Sequence, residues 1–158
     1  MKNYLKTQQN QLGQSIGCSL ENNAPCQAIK GNIEWQYVTL TEIDGEISDL
    51  AADQIWASVS TEPNSGCCTY LPYSAPLSQA KLKQDLQNLF GFKDDTHFLL
   101  DIGGEIKGWI ALLNPRLGHG VIEIGNVYFS HRMKQSKAAT EAIFLLLQQC
   151  FKHGFRRV

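Results

Sequence analysis

The spacing of apolar positions along the first half of the chain predicts one strand followed by two helices. Residues 35–43 are rich in aromatic and β-branched side chains with partial alternation, which predicts a strand. Over residues 47–59 the apolar positions recur at helical spacing, and Ser48 or Asp49 is placed to cap that helix. A second helical pattern covers residues 78–91, and the glycine at its end is a typical helix stop.

The second half of the chain predicts a strand hairpin followed by a third strand. Two apolar segments, 98–102 and 105–112, flank a Gly-Gly pair, which is a two-residue turn signal because glycine supplies the positive φ. Residues 121–129 predict the third strand. Gly125 inside that strand indicates a bulge or a close approach by another group.

The last predicted elements are a long amphipathic helix over residues 136–153 and the start of another strand at 155–158. The predicted order is therefore β-α-α-β-β-β-α-(β), a mixed α/β (α+β) domain with a central antiparallel meander. A sheet that ended at this strand would expose an unpaired edge. We therefore expect the C-terminal strand to pair with another chain, as in a homodimer.

Residues 1–32 differ in composition and hydrophobic pattern from the rest of the chain. Ten of these positions are Asn or Gln, and no apolar period emerges. We therefore predict a flexible polar N-terminal extension over 1–32 and a single domain over 33–158.

Composition limits the classes of function. The 158 residues carry a net charge of −1, with 43% hydrophobic and 18% charged residues, which is an ordinary balance for one globular domain. Dedicated binders of nucleic acids or anionic membranes normally carry a basic excess, so neither partner is expected. The longest apolar run, 142–147, is far shorter than the roughly 20 residues of a membrane span, and no apolar segment of a secretory signal follows the start. A cytoplasmic location is expected.

The cysteine and histidine positions give no metal-binding pattern. Five cysteines include no C-x-x-C, and the four histidines are scattered one by one. A zinc site needs paired ligands at close spacing, so no metal is predicted. Cys150 falls on the apolar face of the last helix and is expected to pack as a small hydrophobe.

The strand–loop–helix unit over residues 122–150 is the strongest candidate for chemistry. A helix N-terminus presents unpaired backbone N–H groups and partial positive charge, and is therefore a natural anion site. Lys134 and Lys137 add charge at this position, although a lysine in a first helical turn opposes the helix dipole. A bound phosphate would reverse that sign. The alternative is a solvated basic loop before an ordinary helix.

The same unit resembles the central region of GNAT acyltransferases. The segments 121–129 and 134–142 carry the likeness, which is nearest to the RimJ/RimL-type ribosomal-protein N-acetyltransferases. Segments 69–73, 108–111 and 154–158 also fit the family's order. The resemblance implies the GNAT fold and transfer of an acetyl group from acetyl-CoA to a primary amine, either a protein N-terminus or a small molecule.

In such enzymes a loop of the form Gln/Arg-x-x-Gly-x-Gly/Ala wraps the pyrophosphate of acetyl-CoA. In this chain Lys134 takes the first position, Lys137 stands where glycine is expected, and Ala139 satisfies the last. A Cβ at that glycine position crowds the approach to phosphate, whereas the ammonium adds a compensating charge. The resemblance thus implies a cofactor loop made of Lys134, Gln135, Ser136, Lys137, Ala138 and Ala139.

The resemblance also implies that Val127, Tyr128 and Phe129 pair their backbone with the pantetheine arm, one N–H holding the thioester oxygen. For the Tyr128 side chain, the alternatives are contact with the ligand and simple packing.

A general base and an acceptor pocket are the remaining candidate sites. Glu123 is the one acid in the strand and suits proton removal from the amine, and the alternative is an outward-facing residue of an alternating strand. Tyr70 and Tyr73 are candidates to line the acceptor pocket, and the alternative is that they anchor a loop.

The greatest departure from the family lies at the C-terminus. Full-length relatives continue into a further helix and two strands, which supply the other wall of the cofactor cleft and usually the general acid. The expectation is a fragment, a naturally short protein, or a chain completed by a partner. The alternative function is therefore a non-catalytic, truncated GNAT-like module that binds CoA or associates with a protein.

Overall fold

The computed structural model describes residues 7–17, 26–71, 73–90 and 94–158. It contains seven strands, three α-helices and two short 3-10 helices within those residues. The strands are β1 Thr7–Gln9, β2 Ser15–Gly17, β3 Ile33–Glu34, β4 Thr39–Glu42, β5 Thr96–Ile102, β6 Glu105–Arg116 and β7 Val121–Phe129. The helices are α1 Asp49–Val59, α2 Gln79–Phe90 and α3 Lys137–Lys152, and the 3-10 helices are Ser65–Cys68 and Leu117–His119.

Five of the strands form one antiparallel sheet in the order β3-β4-β5-β6-β7. The predicted mixed α/β order is confirmed. The hairpin between β5 and β6 turns at Gly103 and Gly104, with φ values of 64° and 87°. Ser48 caps α1, its side chain accepting a hydrogen bond from the Ala51 N–H. The predicted strand over 35–43 is shortened, because the Trp35 N–H bonds to the Val38 carbonyl in a turn between β3 and β4.

The sheet separates two apolar clusters because successive side chains of a strand point to opposite faces. On one face, α3 packs on the sheet through Ala142, Leu146 and Cys150, which are fully buried. On the other face, α1 and α2 cover Trp109 and Tyr128, which are 1% exposed. The expected packing of Cys150 is confirmed. Burial raises the pKa of its thiol to about 11.

The N-terminal segment contains more structure than its composition predicts. β1 and β2 pair as a hairpin, and the Asn10 side chain caps its turn by accepting from the N–H groups of Leu12 and Gln14. All six strand residues are exposed, so the hairpin has no apolar alternation by which a sequence pattern could reveal it. Cys26 and Ile29 join the core on the α3 face, so packing begins before the predicted domain start at residue 33. Flexibility of the extension stays a prediction, and residues 1–6 and 18–25 lie outside the described residues.

The C-terminal segment packs into the core and pairs with the sheet at a single bridge. Phe155 is buried, and Arg157 forms an isolated parallel bridge to Val121 at the start of β7. The Ile122 N–H donates to the Arg157 carbonyl at 3.1 Å. The predicted last strand is therefore a single bridge. Within the residues that the structure describes, no backbone group pairs with the outer edge of β7 beyond Ile122.

Candidate acyl-transfer site

A β-bulge interrupts β7 in the middle of its unpaired edge. Gly125 lies opposite Ala111, but Tyr128 lies opposite Trp109, so three steps along β7 match two along β6. Asn126 provides the turn with a φ of 47°. A Cβ on Gly125 would lie 2.6 Å from the Leu113 side chain, so both the bulge and the close approach predicted at Gly125 are confirmed. A bulge bends its strand and redirects backbone groups, and bulges are common beside active sites.

A chain of hydrogen bonds fixes the bulge from the face covered by α1 and α2. The Trp109 indole Nε1 donates to the Tyr73 hydroxyl at 3.2 Å, and that hydroxyl donates to Asn126 Oδ1 at 2.8 Å. An indole N–H can only donate, so the hydroxyl proton is available for the amide oxygen. Burial raises the pKa of Tyr73. Asn126 Nδ2 is buried and has no partner among the described residues.

A second tether joins the end of β7 to the loop after α1. The Tyr128 ring stacks on Trp109 with 4.2 Å between ring centres, and its hydroxyl donates to Glu62 Oε1 at 2.8 Å. The same carboxylate oxygen accepts from the His131 N–H at 2.7 Å. Burial raises the pKa of Tyr128, and the hydrogen bond to Glu62 raises this pKa further. Glu62 was not a sequence candidate, because its turn-rich surroundings gave no spacing that links it to β7.

The loop from β7 to α3 forms the predicted helix start. Ser136 caps α3, its Oγ accepting from the Ala139 N–H at 3.2 Å, and Gln135 has a φ of 61°. The N–H groups of Lys137 and Ala138 have no partner in the described part of the chain and lie at the free N-terminal end of α3. The side chains of Ala138 and Ala139 are buried, whereas those of Lys134, Gln135 and Lys137 are exposed.

The Lys137 side chain turns towards the segment between β3 and β4. Its Nζ lies 5.3 Å from the centre of the Tyr37 ring, a cation–π distance. Glu141, one turn along α3, accepts from the N–H groups of Tyr37 and Val38 at 2.7 and 3.2 Å. This segment is thereby fastened to the first two turns of α3. A surface cavity of about 490 Å³ lies there, with Trp35 57% exposed on its wall.

The remaining site candidates are Glu123, Tyr70 and Tyr73. Glu123 is exposed and accepts from Asn114 Nδ2 at 3.2 Å. It lines a cavity of about 540 Å³ between β7, α3 and Arg157. Tyr70 is 98% exposed, whereas Tyr73 is half-buried in the tether described above.

Two further features concern the described residues only. No group of three or more His, Cys, Asp or Glu side chains there could hold a metal ion, and no helix there is long and apolar enough to cross a membrane.

The adjacent Cys67 and Cys68 are free thiols with sulfurs 3.6 Å apart. Burial raises the pKa of Cys68 to about 12, so its thiol stays protonated at neutral pH.

Two solved structures share the fold over most of the chain. A Chromobacterium violaceum protein, classed as a probable acetyltransferase of the GNAT family, superimposes with a TM-score of 0.77 at 22% identity, covering 88% of this chain and 69% of that protein. A GCN5-related N-acetyltransferase from Brucella melitensis gives 0.78 at 28% identity, covering 87% of this chain and 62% of that protein. The chain thus spans about two thirds of the length of these relatives.

A more distant structure is RimL, a ribosomal L7/L12 alpha-N-protein acetyltransferase. It gives a TM-score of 0.57 at 13% identity, covering 77% of this chain and 64% of that protein, which supports the fold alone. No curated protein matches the chain. The family model for the acetyltransferase (GNAT) family matches residues 64–158, which include β7, its bulge and the start of α3. Since that match covers more than half of the sequence, the chain belongs to the GNAT acetyltransferase family.

Proposed function

We propose that this chain transfers an acetyl group from acetyl-CoA to a primary amine by direct attack of the amine on the thioester. The observation that carries the proposal is the path along β7. Its outer edge, unpaired within the described residues beyond Ile122, passes the Asn126 bulge and leads to the capped start of α3. Acetyl-CoA presents a matching sequence of groups, namely a thioester, an arm with amide bonds and a pyrophosphate.

The pantetheine arm is proposed to add to the edge of β7 as an extended chain. Free N–H and C=O groups of a strand edge bind such amide ligands by the hydrogen bonds that a neighbouring strand would make. The backbone of Val127, Tyr128 and Phe129 is proposed for this role. The Tyr128 side chain is committed to Trp109 and Glu62, so it contributes rigidity on the opposite side of the strand.

The pyrophosphate is proposed to bind at the start of α3. The N–H groups of Lys137 and Ala138 point out of the helix end, and the helix dipole favours negative charge there. Lys134 and Lys137 are exposed and add two positive charges. Because the Lys137 ammonium rests on the Tyr37 ring, it can move to a phosphate without breaking a buried ion pair.

The chemistry needs a place for the thioester and a route for the amine proton. The amine nitrogen bonds to the carbonyl carbon, the C–S bond then breaks, and the CoA thiolate takes up a proton. A backbone N–H at the bulge is proposed to bind the carbonyl oxygen as its negative charge grows. Glu123 is the carboxylate proposed to receive the amine proton, directly or through water.

The acceptor is proposed to be a protein N-terminus or a small primary amine. Tyr73 and Tyr70 lie in the segment after α1 that is proposed to face the acceptor. The same proposal has three finer parts. The acceptor is a ribosomal protein N-terminus, as for RimL, the protein is cytoplasmic, and two copies form a homodimer through residues 155–158.

A second candidate function is a non-catalytic GNAT-like module that binds CoA or associates with a protein. The observation that favours it is Lys137, which occupies the position where the family's loop has glycine and which interacts with Tyr37. Such a module would bind CoA and acetyl-CoA equally and release no thiol in the presence of amines.

Calorimetric titration of the full chain tests the proposal. Acetyl-CoA is expected to bind saturably. Dephospho-CoA, which lacks the acetyl group and the 3′-phosphate, is expected to bind more weakly, and pantetheine, which also lacks the pyrophosphate, is expected to bind weakest. Lys137→Glu is expected to weaken acetyl-CoA binding at least tenfold. Lys152→Glu, a matched charge reversal at the other end of α3, is expected to leave the affinity unchanged.

Thiol release during incubation with amines and N-terminal peptides then separates the two functions. Saturable binding with amine-dependent thiol release supports acetyl transfer, and binding without release supports the module. A folded chain that binds none of the three ligands would refute acetyl transfer and CoA binding, and would leave protein association as the remaining form of the module.

A further inference from the structure

Asn126 carries a hydrogen-bond donor that the fold does not use. The Tyr73 hydroxyl donates to Asn126 Oδ1, and that hydroxyl in turn accepts from the Trp109 indole. This fixed order of donors orients the amide, so that its NH₂ group points away from Tyr73. Asn126 Nδ2 is buried and has no partner among the described residues.

Two unfavourable features coincide at this residue. A buried donor without an acceptor is destabilising, and so is a positive φ outside glycine, here 47°. Asparagine tolerates that φ, but the buried amide donor is not needed for the turn itself. The combination at the bulge indicates that a ligand atom completes the site, and the ligand atom must be a hydrogen-bond acceptor.

We propose that Asn126 Nδ2 donates a hydrogen bond to the acyl carbonyl oxygen of the acyl-CoA. The inference rests on the proposed function, which brings the thioester to the bulge. As the amine nitrogen bonds to the carbonyl carbon, the π electrons move to this oxygen. When the C–S bond breaks and the thiolate leaves, they return to form the amide carbonyl. A donor at this oxygen stabilises the charged intermediate more than the thioester.

The rigid tether is the reason to assign this role to the side chain as well as to the backbone. Tyr73 and Trp109 hold the amide plane before the ligand arrives, so no rotamer has to be ordered on binding. The acyl group is the part of acetyl-CoA that carries a carbonyl at its reacting end. A ligand that lacks this oxygen is therefore expected to gain nothing from Asn126.

The test compares acetyl-CoA with S-ethyl-CoA, a thioether in which two hydrogens replace the carbonyl oxygen, and with CoA. Calorimetric affinities are measured for the full chain and for Asn126→Asp and Asn126→Gly. Aspartate keeps the oxygen that accepts from Tyr73 and removes the donor, while glycine removes the side chain and tolerates the positive φ. Asn10→Asp, the same exchange in the β1–β2 hairpin, is the matched control.

The wild-type chain is expected to bind acetyl-CoA about tenfold more tightly than S-ethyl-CoA, as one hydrogen bond predicts. Both Asn126 variants are expected to lose this preference while retaining CoA affinity within about twofold, which also shows that they are folded. Equal loss of affinity for acetyl-CoA and S-ethyl-CoA, or an unchanged preference, would overturn the role of Asn126 and leave the proposed function standing. A folded wild-type chain that binds neither CoA nor acetyl-CoA would overturn the proposed function and this inference with it.

Discussion

Glu62 accepts a hydrogen bond of 2.8 Å from the hydroxyl of Tyr128 and so links the loop after α1 to the end of β7. Its oxygen also accepts from the His131 N–H, at the point where the chain turns towards α3. The Tyr128 ring lies against Trp109, which reaches the bulge through Tyr73. The bulge and the helix start are therefore held from one face by two connected side-chain tethers.

Removal of the Tyr128 hydroxyl is expected to weaken the fold measurably. Tyr128→Phe keeps the stack on Trp109 but leaves Glu62 with the His131 N–H as its one remaining donor among the described residues. A hydrogen bond to a charged, half-buried acceptor predicts a loss of about 1 to 2 kcal/mol in the free energy of unfolding. Urea denaturation followed by tryptophan fluorescence measures it. Tyr70→Phe, at a 98% exposed ring, is the control, and equal stability of the two variants would contradict the prediction.

Two glycines of the meander are expected to differ sharply in their tolerance of a methyl group. A Cβ on Gly108 would lie 2.2 Å from the Tyr128 carbonyl oxygen, which is backbone, whereas a Cβ on Gly125 would meet the Leu113 side chain. A leucine side chain can rotate, whereas a paired strand cannot move away. Gly108→Ala is therefore expected to lower the free energy of unfolding by about 3 kcal/mol, and Gly125→Ala by about 1 kcal/mol. Thermal unfolding compares them. Gly118→Ala, where the methyl group meets open space, is the control and is expected to leave the stability unchanged. A larger loss of stability for Gly125→Ala than for Gly108→Ala would show that the strands move apart easily.

The sequence predicts the elements whose apolar period is long and leaves out those formed by few or exposed residues. α3 matches its pattern because it buries one face against the core, and the β5–β6 hairpin matches because its strands form continuous apolar segments that are buried on both faces. Residues 35–38 have strand-like composition but turn, since Glu141 of α3 accepts from the N–H groups of Tyr37 and Val38. That contact spans about one hundred positions, and no local pattern contains it.

The candidate site was predictable in part for the same reason. The bulge at Gly125 and the loop before α3 are local features, and a glycine within a strand or a polar segment before a helix marks them. Glu62 and Tyr73 reach β7 from another part of the chain. Their partners depend on the packing of α1 against β6, which spacing along the sequence does not encode.

Acidification is expected to destabilise the fold through His97. This residue of β5 is 2% exposed, and burial lowers its pKa below the ordinary value of 6.5. As the pH falls below about 6.5, the unfolded chain binds a proton that the folded chain does not, so the free energy of unfolding declines until the lower folded pKa is reached. At higher pH both states are neutral and the contribution vanishes.

Urea denaturation across pH 5 to 8 checks the role of His97. His97→Gln removes the titrating group, and its stability is expected to fall less between pH 7 and pH 5 than that of the wild type. His119→Gln, at an exposed histidine, is expected to retain the wild-type slope. Parallel curves for wild type and His97→Gln would assign the acid sensitivity to other groups.

Lys137 stands at the family's glycine position, and its effect on acetyl-CoA affinity is expected to depend on the salt concentration. In Lys137→Gly both the Cβ near the phosphate and the ammonium are removed, and these have opposite effects on acetyl-CoA binding. The ammonium is exposed and therefore screened, with a Debye length of about 30 Å at 0.01 M salt and about 3 Å at 1 M. If charge dominates, Lys137→Gly binds several-fold more weakly than wild type at low salt and equally at high salt. Calorimetry at both salt concentrations, with Lys152→Gln as the charge control, checks this. Tighter binding by Lys137→Gly at both concentrations would instead identify steric crowding by Lys137 as the dominant effect.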